Sequence, residues 1–330
     1  MHEEKLALQA DTLAAIRSEV AERCINTLYT VGCGGSLATI WPAKYILSRE
    51  SAKLFTDSFT ANEFYQDSPA RINAQTLVIL NSSSGSTPET VNAARLAKEK
   101  GAMVVAFCAK QGSPLEQQAD HMLYYYENII DPPAELCIYP EVYLLTAAVL
   151  DAVESSSRSA EMREAIARLN AVSDEALAGY AAQAKEFAAA NRTEPIIYTV
   201  SAGLDQSAGY VLTNCSFMES VWIHSSPLHA GEFFHGAFEA VDETTSVVAF
   251  LGLGKTRVLE ERAVHFLQRI TPKLTVIDAR NFDLSGMPEW TREYVSMLVL
   301  GRVAGQFCEA LCDRKGHPSS SRRYMGVVKY

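Results

Sequence analysis

Short apolar runs with strand character alternate with helical patterns along the first half of the chain. The clearest runs are "LYTVG" at 28–32, "TLVILN" at 76–81 and "MVVAFCA" at 103–109, and weaker ones lie at 54–59 and 121–127. Strands that are separated by helices pair in parallel through crossover connections. This alternation of strand and helix patterns therefore predicts an α/β fold with a doubly wound parallel sheet flanked by helices.

The same alternation of strand and helix patterns occurs in the second half of the chain. Strand-like runs at 195–203, 246–252 and 274–279 again alternate with helical patterns. The segments "LYTVGCGGS" and "IIYTVSAGL" both place an apolar strand before a turn of small residues and a helix. This likeness predicts a duplicated α/β unit.

A long helical stretch separates the two halves and suggests where the domains divide. It covers the region around 139–191 and includes the alanine-rich segment "EALAGYAAQAKEFAAA". We predict a first domain over residues 1–160, a connecting helical segment over 161–190 and a second domain over 191–330.

The C-terminal tail follows a final helical pattern and has its own composition. Its sequence "KGHPSSSRRYMGVVKY" contains Tyr324, Met325, Val327 and Val328. These side chains are too apolar for a fully solvated terminus. We therefore expect the tail to pack back on the body of the protein.

Composition narrows the class of protein. The formal net charge of −10 argues against a nucleic-acid partner, because phosphate contacts need a basic face. No run reaches the roughly 18 uninterrupted apolar residues of a membrane span, and the polar start does not resemble a signal peptide. The seven cysteines, an odd number, suit reduced thiols. We expect a cytoplasmic protein.

Two turns of small residues follow strands and precede helical patterns. They are Gly32–Ser36 and Ser82–Thr87, the second with Pro88 placed for a first helical turn. At such positions helix N-termini offer unpaired amides, and serine and threonine hydroxyls add donors for phosphate oxygens. The alternative is that these are ordinary turn residues, with Thr87 serving only as a helix N-cap.

The glycine pattern distinguishes a nucleotide cofactor from a phosphorylated substrate. The turn "GCGGSLA" lacks the third glycine of a dinucleotide fingerprint, and no Walker lysine follows either turn. The phosphate is therefore expected on a substrate rather than on NAD or ATP, and we expect no cofactor. The spacing of Cys308, Cys312 and His317 could suit metal ligands. The two cysteines lie one turn apart on a predicted helix, however, and we expect no metal.

The segment 215–242 is rich in glutamate and histidine within an apolar context. Glu219 lies among Phe217, Met218 and Trp222, so its carboxylate is expected to be partly desolvated and suited to proton transfer. His235 precedes Gly236 and is expected at the end of a helix. The alternatives are a hydrogen-bonded core histidine and glutamates on a solvated face; further acidic and histidine residues here are His224, His229, Glu232 and Glu239.

These motifs resemble those of the sugar isomerase (SIS) domain family. The resemblance rests on "GCGGS", on "SSSGSTPET", which is similar to the family's phosphate loop, and on a glutamate followed by a His-Gly pair. It implies two tandem SIS domains with flavodoxin-like sheets. It further implies that the sugar phosphate is bound by Gly35, Ser36, Ser82, Ser83, Ser84 and Thr87.

The resemblance also implies the catalytic residues. Glu219 would move a proton between C1 and C2 of the sugar, and His235 of a neighbouring subunit would act as acid or base, in a homodimer or larger homo-oligomer. Glu63 matches a glutamate near the family's site. The ends "HSSPLHAGEFFHGAFE" and "SRRYMGVVKY" look like fructosamine deglycases that act on 6-phosphorylated Amadori compounds.

Two further readings and one open question accompany this prediction. An aldose-ketose isomerase would share the proton transfer, and a non-catalytic sugar-phosphate sensor would need only the serine loop. A lysine that the isomerase half of glucosamine-6-phosphate synthase carries near its C-terminus has no counterpart at Met325 or Gly326, which favours a substrate with its own amine. The amine half stays open, with Lys44, Arg322, Arg323 and Tyr324 as candidates for binding a carboxylate.

Overall fold

The computed structural model describes residues 2–127 and 133–329. The chain divides into two compact units, Met1–Ala167 and Arg168–Tyr330. This division differs from the predicted connecting segment at 161–190, because most of that segment belongs to the second unit.

Unit 1 is a parallel α/β sheet covered by helices, as predicted. Among its described residues the strands are β1 (Thr27–Gly32), β2 (Phe55–Thr60), β3 (Thr76–Asn81), β4 (Met103–Cys108) and β5 (His121–Tyr124). Its helices are α1 (His2–Glu22), α2 (Gly35–Glu50), α3 (Ala61–Gln66), α4 (Pro88–Glu99), α5 (Ile138–Glu154) and α6 (Arg158–Ala167).

The strand order in unit 1 is β2-β1-β3-β4-β5, with every pair parallel. β1, β3 and β4 are buried along their whole length, which explains why they read as continuous apolar runs rather than alternating ones. The chain leaves β1 toward one side of the sheet and β3 toward the other. This is a topological switch point, and in such sheets ligands bind beyond the carboxyl ends of the strands that flank it, here β1 and β3.

Unit 2 repeats the arrangement with one strand fewer. Among its described residues the strands are β6 (Ile196–Ser201), β7 (His224–His229), β8 (Ser246–Leu251) and β9 (Leu274–Asp278), in the parallel order β7-β6-β8-β9. Its helices are α7 (Leu169–Asn191), α8 (Gln206–Tyr210), which continues as a π-helix (Val211–Val221), α9 (Arg257–Ile270) and α10 (Glu289–Lys315). The order matches that of the first four strands of unit 1, so the predicted duplication is confirmed.

Helix α7 is part of the body of unit 2 rather than a connector. The Tyr180 hydroxyl accepts a hydrogen bond from the N–H of Asp278 at 2.9 Å and another from Asn281 Nδ2 at 2.9 Å. Arg302 on α10 donates to Asn170 Oδ1 at 2.9 Å. These bonds tie α7 to the sheet end and to α10. Sequence composition alone did not reveal them, because α7 is rich in alanine and nothing local in its sequence marks these distant partners.

Helix α10 has the length and composition of a membrane span, but it lies in the protein interior. Of the described helices it alone meets that test, and 67% of its most apolar 18-residue window is buried inside the protein. Its apolar character therefore reflects its role in the core of unit 2. None of the seven cysteines, all of which the structure describes, forms a disulfide, and burial raises the pKa of Cys308 on this helix to about 12.

The C-terminal tail packs back on unit 2, as predicted, but through other side chains. His317 lies edge-on to Trp222 with ring centroids 4.0 Å apart, and the Arg323 guanidinium lies 4.2 Å above the Trp222 ring. Tyr324 and Val327, by contrast, are each 66% exposed. The tail is therefore held by rings and arginines, and not by burial of the apolar residues that suggested the contact.

Candidate functional site

The two small-residue turns of unit 1 lie side by side at the carboxyl ends of β1 and β3. Asn81, the last residue of β3, donates from Nδ2 to Thr39 Oγ1 at 2.8 Å and to the carbonyl of Ser36 at 3.3 Å. The Tyr125 hydroxyl donates to Asn81 Oδ1 at 3.2 Å and so fixes the amide. The structure therefore brings Gly35 and Ser36, at the start of α2, close to the turn that follows β3.

Hydrogen bonds and close packing hold the backbone of residues 82–87, which we call the serine loop, in one conformation. Ser82 is 2% exposed, and its Oγ lies 3.0 Å from Thr87 Oγ1, so its hydroxyl spans the loop. Gly85 has φ +63°, and its carbonyl accepts the N–H of Leu115 at 2.9 Å. A side chain at Gly85 would collide with Ser113 and would come within 2.8 Å of Cys108 Sγ. The loop is thus a rigid turn rather than a flexible polar segment.

The serine loop presents donors toward the start of α4. The N–H groups of Ser83, Ser84 and Thr87 have no acceptor among the residues that the structure describes. Thr87 occupies the N-cap position, yet its side chain does not cap the helix, because it pairs with Ser82. Free amides at a helix N-terminus favour an anion. The alternative reading of Thr87 as an ordinary side-chain cap does not hold.

The remaining predicted residue of unit 1 has a different setting. Glu63 is exposed on the short helix α3, which begins directly after β2 at the same edge of the sheet. Its Oε2 lies 3.5 Å from the Thr60 hydroxyl. It shares the edge with the two turns, but its hydrogen bond goes to Thr60 and not to the serine loop.

In unit 2, Glu219 lies in the last turn of the π-helix, a rare geometry that is frequent at functional sites. Its side chain is 25% exposed, and its Oε1 forms an ion pair with Arg322 Nη2 of the tail at 2.6 Å. Burial, together with the negative charge of Glu219, raises the pKa of the neighbouring Cys215 to about 11. That thiol is therefore neutral at physiological pH.

Glu219 opens into a cavity of about 640 Å³, which we call the tail cavity. One wall comes from the end of the π-helix and the start of β7, and the opposite wall comes from the tail. The residues that line it are Asn214, Met218, Glu219, Trp222, Ile223, His224, Arg322, Arg323, Tyr324 and Met325. Apolar walls with a few charged groups are typical of a small-molecule site.

His235 lies away from the tail cavity. It is exposed at the end of a short 3₁₀ helix, Phe233–His235, which follows the carboxyl end of β7. Glu219 precedes the amino end of the same strand. Because a six-residue strand spans roughly 20 Å, the two residues lie at opposite ends of the sheet of unit 2. One copy of unit 2 does not bring them together.

In unit 2, a side chain of the protein itself binds the amides of the turns that correspond to the two small-residue turns of unit 1. Glu260 on α9 accepts the N–H of Ala202 after β6 at 2.8 Å and the N–H of Gly252 after β8 at 2.9 Å. Burial raises the pKa of Glu260 to about 7. Sequence reasoning missed this carboxylate, because nothing local marks a residue 58 positions from its partner.

Among residues 2–127 and 133–329, no group of three or more His, Cys, Asp or Glu side chains is arranged to hold a metal ion. Cys308 and Cys312 are both buried in α10, and His317 packs on Trp222.

Comparison with known proteins places these features in a family. The SIS domain model matches residues 23–152, which cover the first sheet and both small-residue turns. The chain is 39% identical to fructosamine deglycase FrlB of Bacillus subtilis, with 96% of each chain covered, and 27% identical to fructoselysine 6-phosphate deglycase of Escherichia coli K12 over 99% of this chain and 94% of that one.

A solved structure supports the same grouping. A Bacillus subtilis protein described as a candidate phosphosugar isomerase superposes with a TM-score of 0.91 at 38% identity, over 97% of this chain and all of that one. Both sheets are therefore shared, including the second one, which the family model does not cover. The chain belongs to the SIS domain family and, within it, to the subgroup that resembles fructosamine deglycases.

Proposed function

We propose that this protein is a deglycase that cleaves the 6-phosphorylated fructosamine of an amino acid into glucose 6-phosphate and the free amine. It is an enzyme of the phosphosugar deglycase or isomerase kind, in keeping with its relatives. The observation that carries the finer proposal is the Glu219 carboxylate, which opens into the tail cavity beside arginines rather than a lysine.

The chemistry follows from the substrate. A fructosamine has an amine on C1 and a ketone at C2, so a base that removes a C1 proton gives an enaminol. Protonation at C2 then gives an imine, which water hydrolyses to the aldose and the amine. Glu219 is the base in this proposal, and the carbonyl accepts the electron pair. Every step moves protons or water, so the reaction balances without a redox partner.

The serine loop is proposed to bind the phosphate. Three N–H groups without acceptors, the α4 N-terminus and the nearby Ser36 turn match the donor-rich setting that a dianion requires. Ser82 is proposed to shape the loop, since its side chain is buried, while the half-buried Ser83, Ser84 and Thr87 line it.

His235 is proposed to act from a second copy of the chain. Its place at the far end of β7 from Glu219 supports this arrangement, because one unit 2 separates the two groups by the length of a strand. The functional form would then be at least a homodimer, located in the cytoplasm where phosphorylated sugars are metabolised.

The catalytic proposal is tested by release of glucose 6-phosphate from a panel of 6-phosphorylated fructosamines and from fructose 6-phosphate. Glu219→Gln is expected to lower kcat by roughly a hundredfold or more, with phosphate-ligand affinity retained within a few fold. Glu239→Gln, an exposed glutamate in the same segment, is the matched control and should retain activity. Near-normal turnover by Glu219→Gln, or conversion of fructose 6-phosphate alone, would overturn the proposal.

Subunit sharing is tested by mixing two inactive variants. If His235 acts in trans, refolded mixtures of Glu219→Gln and His235→Asn contain heterodimers with one intact site, and random mixing restores about a quarter of wild-type activity. If both residues acted within one chain, no combination would restore activity.

A further inference from the structure

Arg322 is the only group with a formal charge that the structure places directly on the Glu219 carboxylate among the described residues, and it is held there independently. Its Nη1 donates to the carbonyls of Ser319 at 2.9 Å and Ser321 at 2.8 Å, and lies 3.3 Å from Ser220 Oγ. Only Nη2 reaches Glu219, at 2.6 Å. The guanidinium would therefore keep its position if Glu219 turned away.

The ion pair works against the proposed role of Glu219. It occupies Oε1, and proton uptake by the carboxylate would cancel its attraction to the guanidinium. Arg322 thus occupies an oxygen that the proposed base would use to take up the C1 proton. A substrate that relieves this contact would be favoured over one that does not.

The contact is open to exchange. The side chains of Glu219 and Arg322 are 25% and 28% exposed, and both line the tail cavity. Ion pairs that reach water contribute little, whereas a carboxylate that binds a guanidinium with two oxygens is held more tightly and in a defined orientation. An incoming carboxylate is therefore a suitable competitor for Arg322.

The proposed substrate has an anion at the right place. In a fructosamine formed from the α-amine of an amino acid, the carboxylate is separated from C1 only by the nitrogen and the α-carbon. A base that acts at C1 and a cation that touches that base are both within reach of such a substrate. A sugar phosphate without an amino acid has no anion at that end.

We propose that Arg322 is a specificity switch, which pairs with Glu219 until substrate binds and then transfers to the carboxylate of the amine half. The exchange leaves Glu219 Oε1 free to accept the C1 proton. Arg322 is a positioning residue in this scheme. The inference rests on the proposed function, because it takes Glu219 as the base.

The test uses a matched pair of substrates, the 6-phosphorylated fructosamines of alanine and of ethylamine, which differ only in the carboxylate. Glucose 6-phosphate release gives kcat and KM for each. Wild type is expected to prefer the alanine adduct by roughly 10- to 100-fold in kcat/KM. Arg322→Gln should bring that preference to within about threefold, by raising KM for the alanine adduct and raising kcat for the ethylamine adduct.

Two further variants separate a switch from a merely structural contact. Arg322→Lys keeps the positive charge but cannot donate two parallel hydrogen bonds to a carboxylate, so it should retain part of the preference for the alanine adduct. Arg314→Gln, an exposed arginine in the last turn of α10, should leave the preference unchanged. A preference that disappears in Arg322→Gln, returns in part in Arg322→Lys and persists in Arg314→Gln supports the switch.

The outcomes distinguish the two levels of the proposal. Equal turnover of both adducts by wild type, a preference for the ethylamine adduct, or an equal loss on both adducts in Arg322→Gln would overturn the switch and leave the deglycase assignment intact. Failure of the wild-type protein to release glucose 6-phosphate from either adduct would overturn the proposed function itself.

Discussion

Substitution of Gly85 by alanine should destabilise the serine loop for two reasons, backbone strain and a steric clash. The left-handed conformation at φ +63° costs a side chain roughly 1–2 kcal/mol. The added Cβ would also collide with the Ser113 side chain and approach Cys108 Sγ to 2.8 Å. Overpacking of this kind costs about 1–3 kcal/mol, so the expected total loss of stability is roughly 2–5 kcal/mol.

Gly112→Ala is the matched control for this change. Gly112 also has a positive φ, +72°, but a Cβ there would meet no atom within 4 Å. Only the conformational cost of roughly 1–2 kcal/mol applies. Urea unfolding of both variants measures the difference, and the KM for a phosphorylated substrate should rise chiefly in Gly85→Ala. Equal stability and equal KM in the two variants would refute the fixed-loop argument.

Two further predictions concern a buried carboxyl group and the proposed phosphate contacts. Burial raises the pKa of Glu141 from its ordinary 4.5 to about 8, so the folded protein keeps a proton that the unfolded chain loses and stability falls as pH rises through this window. Between pH 5 and 8, urea unfolding should show that wild type loses up to about 4 kcal/mol more than Glu141→Gln; parallel curves would contradict the assignment. Thr87→Val and Ser84→Ala should each raise KM several-fold with little change in kcat, whereas unchanged KM in both would make the loop structural only.

The parts of the fold that sequence predicted are those with a continuous apolar signal. β1, β3, β4, β6 and β8 are central or fully covered strands, and their apolar runs identified them. β7 was missed and its segment was treated as part of a helical region. It is an edge strand with the sequence "HSSPLH", and Pro227 is tolerated there because an edge strand needs fewer ladder donors.

The candidate site was predictable only where its residues are local in sequence. The serine loop follows its strand directly, so strand, turn and helix start could be recognised together. The Glu219–Arg322 pair joins a π-helix to the tail across about a hundred residues, and no spacing rule predicts it. The tail's approach was expected from its apolar residues, yet the stabilising contacts are a cation over a ring and an ion pair, which depend on tertiary geometry.

The Glu260 side chain, which accepts hydrogen bonds from the N–H groups of Ala202 and Gly252, bears on how many phosphate groups one chain can bind. A duplicated chain with two equivalent halves would bind two phosphate groups, one at the switch point of each sheet. Here the Glu260 side chain of the second half already accepts these amides, and α9 is anchored by the two hydrogen bonds. We therefore propose one phosphate site per chain, in unit 1, while unit 2 carries the π-helix and the tail.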